Sequence, residues 1–335
     1  MRLKTMLIAW LLLITLAPAG SVWASTFNVT CGGTGEEETL TTITAALARA
    51  SFRGEPTVIN VTGPCSENVT VHDLDAVTIT TSTGASITDP TGGAKSVFDI
   101  QRSHDISISN LTISAPPLAG SGITAGNGYA AVSCQFASSC FLTNNSITSG
   151  TGDGVFVARG SNAEINGGTV SNNVGRGIVA NFGSRAGVTG VTLNNNGGAT
   201  GSAQIRLYSH SSLLLRFSSV TNNTSYFGVR LTDHSSAEFG EDVISGNVSG
   251  GVSLEGGSEA AFYAVGTGTS ITGNQGGGVL IWDVSLANFW GPGETGTSAT
   301  DNVSGNGVFD LNCETGHAFA IGALPLASLT NCKAP

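Results

Sequence analysis

Between Gly154 and Asn302, apolar and polar residues follow a scheme that recurs at fixed offsets. Take Val155 as position zero. Apolar residues occupy zero and plus two in six successive units: Val155/Val157, Ile178/Ala180, Ile205/Leu207, Val229/Leu231, Val252/Leu254 and Val279/Ile281. A serine follows at plus six each time: Ser161, Ser184, Ser211, Ser235, Ser258 and Ser285. Apolar residues return at plus eight and plus ten, from Ala163/Ile165 to Ala287/Phe289. The first five units then close on an apolar residue with Asn three places later, from Val170/Asn173 to Ile271/Asn274.

Unit starts lie 23, 27, 24, 23 and 27 residues apart, a period that belongs to stacked repeats. A spacing of two places alternate side chains on opposite faces of a strand. Gly, Ser and Asn divide each unit into three short strands. A chain that returns to its start at every unit can stack only on its neighbours, like strand upon like strand, in parallel. Leucine-rich repeats share the period and an Asn, but need a Leu-dominated core and often a helix per unit. Here the core positions are Val, Ile, Ala and Phe, and the back half of each unit lacks helical spacing. Earlier turns follow the scheme at Val69/Val71, Phe98/Ile100 and Val132/Cys134. An insertion between Ile113 and Val132, opening on Pro116-Pro117, stretches one interval to 34 residues. Val308/Asp310 is expected to open a tenth turn. The recurring Asn and Ser are assigned to architecture: Asn tolerates the left-handed backbone of sharp turns, and stacked amides form ladders.

With this grammar, residues 56 to 312 resemble the right-handed parallel β-helix proteins of the pectin-lyase-like superfamily. The resemblance implies an all-β, single-stranded right-handed solenoid of about ten turns with an N-terminal helical cap. It implies no single function, since lyases, hydrolases, epimerases, adhesins and tailspikes share the fold. Polygalacturonase-like members carry three clustered aspartates with Gly-His-Gly and Arg-Ile-Lys. Here Gly152-Asp153-Gly154 has one acid, His317 lies in Gly-His-Ala, and Ile205-Arg206-Leu207 lacks the lysine. Pectate-lyase-like members hold calcium in an acid cluster beside an arginine base, and no such cluster is visible. No cofactor is therefore expected, and an enzyme, if there is one, would be a polysaccharide lyase sooner than a glycoside hydrolase.

The ends read differently. Arg2 and Lys4 precede the apolar run Leu7 to Leu16, then Pro18, Gly20 and Ala24, the pattern of a secretory signal peptide over residues 1–24. Its removal leaves 11 basic against 23 acidic residues, a net charge of −12. That balance disfavours nucleic acid and anionic lipid as partners. Nothing beyond it is long enough to span a bilayer, so a secreted monomer is expected. Residues 25–55 read as an N-terminal cap: a strand from Thr26 to Thr30, then Leu40, Ile43, Ala46, Leu47 and Ala50 on one helix face, behind Glu36 to Glu38. The acids suit a helix start. Residues 313–335 read as a C-terminal cap. Six cysteines in an exported chain suggest disulfides, pairing locally as Cys31–Cys65, Cys134–Cys140 and Cys313–Cys332. Cys134 and Cys140 fall at inward positions, so two buried thiols are the alternative for that pair.

Chemistry has to come from residues that break the repeat. One column does so: Arg206, Tyr208, Arg230, Asp233, His234, Glu255 and Trp282 fall at outward or turn positions of four successive units. The two arginines would stand about 4.8 Å apart on neighbouring strands, which is unfavourable unless Glu255 or an anionic ligand offsets them. Aromatic faces beside charged hydrogen-bonding groups are what sugars use. Two classes of function follow: a protein that binds, with or without cleaving, an extracellular acidic polysaccharide, or a non-catalytic surface, adhesion or scaffold solenoid.

Overall fold

A computed structural model describes residues 24–32, 40–50, 55–118, 128–198, 201–263, 267–290, 301–313, 319–322 and 332. The strands sort into three parallel sheets, one of 12 strands and two of 10. Each turn visits them in the same order. For the turn that begins at Val155 these are Val155–Ala158 in sheet 2, Asn162–Asn166 in sheet 1 and Thr169–Ser171 in sheet 3. This is the parallel β-helix that the spacing implies.

Register follows the sequence offsets directly. Val155, Ile178, Ile205, Val229, Val252 and Val279 are successive partners, as the zero position requires. Their side chains and those at plus two, eight and ten fill one continuous core. A one-residue slip would turn this whole set outward, so the alternation holds the register. Phe239, Phe262 and Phe289 stack inside at 4.6 Å per step, with ring planes 9° apart.

Two buried polar ladders hold the turns. The plus-six serines are buried, and each Oγ accepts the backbone N–H of the serine one turn earlier. Ser161 N donates to Ser184 Oγ at 3.3 Å, and the series continues through Ser211, Ser235 and Ser258 to Ser285. The asparagines do the same: Asn247 N and Nδ2 both donate to Asn274 Oδ1, and Asn274 donates likewise to Asn306. The left-handed backbone expected of these asparagines belongs instead to the residue before each, Asn172, Asn195 and Asn222 among them. The ladder residue keeps ordinary geometry because its amide must point inward to reach its neighbour. Between Asn196 and Asn223 the ladder is carried by Gln204, whose Oε1 takes both Asn196 donors.

The tenth strand of sheet 2 is Leu311–Cys313, paired with Val279 and Ile281, so Val308/Asp310 does not open that turn. Val308 is exposed, and buried Asp310 accepts from Asn306 at the end of the ladder. At the other end Ser25–Thr30 joins sheet 1 as its first strand. Helix α1 (Ile43–Ala50) buries Ile43, Ala46, Leu47 and Ala50. Leu40 lies outside the helix, bridged to Val29. No acid occupies the first helical turn; Glu67 reaches across instead, accepting from Ile43 N at 2.8 Å and Thr44 N at 3.2 Å. Glu36 to Glu38 and residues 1–23 fall outside the described residues. All three expected disulfides form, and Cys134–Cys140 lies inside the core rather than as two thiols. No helix among the described residues is long and apolar enough to cross a membrane.

Candidate functional site

The outer face of sheet 2 carries three arginines from three consecutive turns. Arg206 and Arg230 are register partners on adjacent strands. Arg176 enters from the residues just before Ile178–Asn181, the strand one turn earlier. Two of the three are neutralised. Arg230 grips Glu255 at two points, Nε–Oε1 2.9 Å and Nη2–Oε2 2.7 Å, and Ser253 Oγ donates to the same carboxylate at 2.7 Å. Arg176 grips Asp153 the same way, with both contacts at 2.9 Å.

Arg206 has no such partner. It makes no ion pair among the described residues, and its buried Nε finds no acceptor. Its guanidinium lies 5.3 Å from the Tyr208 ring centroid, and that of Arg230 lies 5.1 Å from the Tyr226 ring. Burial first, then the charges of Arg230 and Arg176, push the Arg206 pKa below the ordinary arginine value. Burial also works against charge on Arg230 and Arg176, but hydrogen bonding and attraction from Glu255 and Asp153 outweigh it and raise both. The face thus presents one half-buried guanidinium with unmet donors, between two arginines already bound.

The seven residues read from sequence do not all meet. Arg206 joins Tyr208, and Arg230 joins Glu255. Asp233 and His234 sit in the exposed turn after the strand, both with left-handed backbone, φ 55° and 60°. His234 stacks on His210 at 5.4 Å and lies over Gly257, where a Cβ would come within 3.1 Å of its Nε2. Seven successive turns have a left-handed pair here, from Phe136-Ala137 to Asp283-Val284, so their primary role is to turn the chain. Trp282 is 40% exposed, and its ring contacts none of the arginines among the described residues. Arg176, Asp153 and Tyr226 were not in the column read from sequence, because they precede their strands rather than occupying outward strand positions.

Toward the N-terminal end the same face opens into a hollow of 300 Å³ lined by Tyr129, Asp153, Phe156, Arg159 and Phe182. Tyr129 closes the inserted segment, so the insertion does wall a cleft at its described end. Phe182 on its rim stands 6.5 Å from Tyr208, the ring beside the Arg206 guanidinium. The described residues contain one grouping of candidate metal donors, Cys31, Cys65 and Glu67; both cysteines are in a disulfide, so the group does not suit an ion.

A family model described as a right handed beta helix region matches residues 58–212 and 130–291. The chain belongs to that family. Among solved structures, this β-helix is similar to the A-module of mannuronan C-5 epimerase AlgE4 from Azotobacter vinelandii. The TM-score is 0.51 at 13% identity, covering 88% of this chain and 93% of that one. It is also similar to the Dettilon tailspike protein, with TM-score 0.47 at 12% identity over 89% of this chain and 62% of that one. At such identities the likeness is one of fold. No curated protein sequence matches the chain.

Proposed function

We propose that this β-helix is an exported protein that binds an acidic polysaccharide along the outer face of sheet 2, with a uronate carboxylate docked on Arg206. The observation that supports this most is the unmet, buried Nε of a half-buried arginine. A guanidinium presents parallel N–H donors in a fork that a carboxylate fits at two points. Such a ligand would supply the acceptor that Arg206 lacks and offset the repulsion that Arg206 feels from Arg230 and Arg176. Tyr208 and Tyr226 offer ring faces beside it, and the hollow at Tyr129, Phe156 and Phe182 has room for a neighbouring sugar. The net charge of −10 makes a local cationic patch a requirement for any polyanion, and this face has one.

Export is supported by the disulfides and by the leader-like residues 1–24. The reading is of binding rather than turnover. Asp153 and Glu255 are each held at two points by an arginine. A glycan array carrying polyuronates beside their neutral counterparts tests the proposal. Uronate-containing spots should bind and lose signal in Arg206→Ala. Equal binding of neutral and acidic glycans, or none, would leave the non-catalytic scaffold reading in its place.

A further inference from the structure

Sheet 1 carries a second feature on the other side of the molecule. Along its outer face, Gly240 and Ala261 replace the large side chains that flank them in register, and at Ala261 the face dips into a hollow of 340 Å³. A further hollow of 310 Å³ adjoins it and shares Glu238 and Tyr263. Tyr263 and Trp290 form one wall, stacked at 5.8 Å with planes 19° apart.

This pair differs from the phenylalanine stack inside the core. The inner rings are fully buried and carry no polar atom, so packing alone explains them. The outer rings are only partly covered, and the Trp290 indole N–H is buried without an acceptor among the described residues. A buried donor left unmet is destabilising, so it points to an acceptor supplied from outside. Across the hollow, the carboxylates of Glu238 and Glu259 make no hydrogen bond or ion pair among the described residues. Acceptors on one wall, a ring face and an orphan donor on the other, and a small-residue floor match the two sides of a pyranose: hydroxyls on its edge and apolar C–H groups on its face. Glu238, Glu241 and Glu259 outnumber Arg185 and Arg216 around the two hollows, which disfavours a polyanion, so the ligand differs from that of sheet 2.

We infer that the outer face of sheet 1 is a second carbohydrate site, selective for neutral hexose units, with Tyr263 and Trp290 as the stacking wall and Glu238 as hydroxyl acceptor. It is independent of the reading given for sheet 2, since no residue is shared.

The test is fluorine NMR on the full chain labelled with 5-fluorotryptophan, with Trp290 assigned by the signal lost in Trp290→Phe. Linear neutral hexasaccharides of glucose, mannose and galactose are titrated to millimolar concentration. At least one should shift the Trp290 signal saturably. Glu238→Gln should weaken that titration about fivefold and Tyr263→Ala about tenfold, with melting temperatures near wild type showing that the fold survives. Arg206→Ala should leave it unchanged, which separates this site from sheet 2. If no hexasaccharide moves the Trp290 signal, or if Glu238→Gln and Tyr263→Ala titrate as wild type does, the inference is wrong.

Discussion

Arg230 and Glu255 are joined at two points across adjacent turns, Nε–Oε1 at 2.9 Å and Nη2–Oε2 at 2.7 Å. The consequence falls on Arg206. Its register partner is paired with Glu255, whereas Arg206 makes no ion pair among the described residues and keeps an unmet Nε.

Glu255→Gln should therefore act in two directions. Both side chains of the pair are about four-fifths buried, and removing one charge leaves the other uncompensated. Stability should fall by about 1–3 kcal/mol, read by chemical denaturation. Freed of its partner, Arg230 becomes a second cation beside Arg206, so affinity for an acidic oligosaccharide should rise. A variant with wild-type stability and unchanged affinity would show that the pair does not set the charge of this face.

Asn247 tests the ladder. Its Oδ1 accepts from Asn223 N at 3.0 Å, and its Nδ2 donates to Asn274 Oδ1 at 2.9 Å and Val220 O at 3.2 Å. Asn247→Ala should destabilise by about 2–4 kcal/mol, because buried partners on both neighbouring turns lose their bonds. Exposed Asn166, at the outer end of its strand, should tolerate the same change within about 0.5 kcal/mol. Similar melting curves for the two variants would deny the ladder its role.

A third effect is set by pH. Burial pushes the Asp242 carboxyl up from 3.8 to about 7 and that of Asp301 up to about 6. The folded chain therefore keeps protons that the unfolded chain releases near pH 4. Stability from these groups is full below that pH and is lost as pH rises toward 7. Melting temperature should fall between pH 4 and pH 7, and Asp242→Asn should flatten the fall. A melting temperature that climbs over this interval in the wild type and is unaffected in Asp242→Asn would contradict the assignment.

The fold was legible because its determinants are periodic. The zero positions from Val155 to Val279 needed no more than counting to align, and sheet 2 aligns them in the same way. The ladders were half legible: the recurrence of Asn and Ser was plain, but which residue bends left-handed depends on backbone geometry one place earlier. Gln204 is an extra link between Asn196 and Asn223 where the turn lengthens, and no offset locates it. The end of the solenoid was misread at Val308 because an exposed valine imitates the pattern while Leu311 does the packing. In the site, strand residues such as Arg206 and Glu255 could be placed by parity. Arg176, Asp153 and Tyr226 reach the same face from turns of unequal length, where sequence distance no longer gives position. Trp282 shows the converse, since parity puts it on the face but not within reach of the arginines.

Arg206 decides the functional reading, and calorimetric titration of a defined hexauronate into wild type and Arg206→Ala measures it directly. The substitution removes a desolvated, repelled charge, so the variant should melt at or above the wild-type temperature. Its affinity for the hexauronate should drop by about tenfold or more, and the salt dependence of binding should flatten as one ion contact is lost. Equal affinity and an unchanged salt slope in the two proteins would show that the carboxylate is not bound at Arg206.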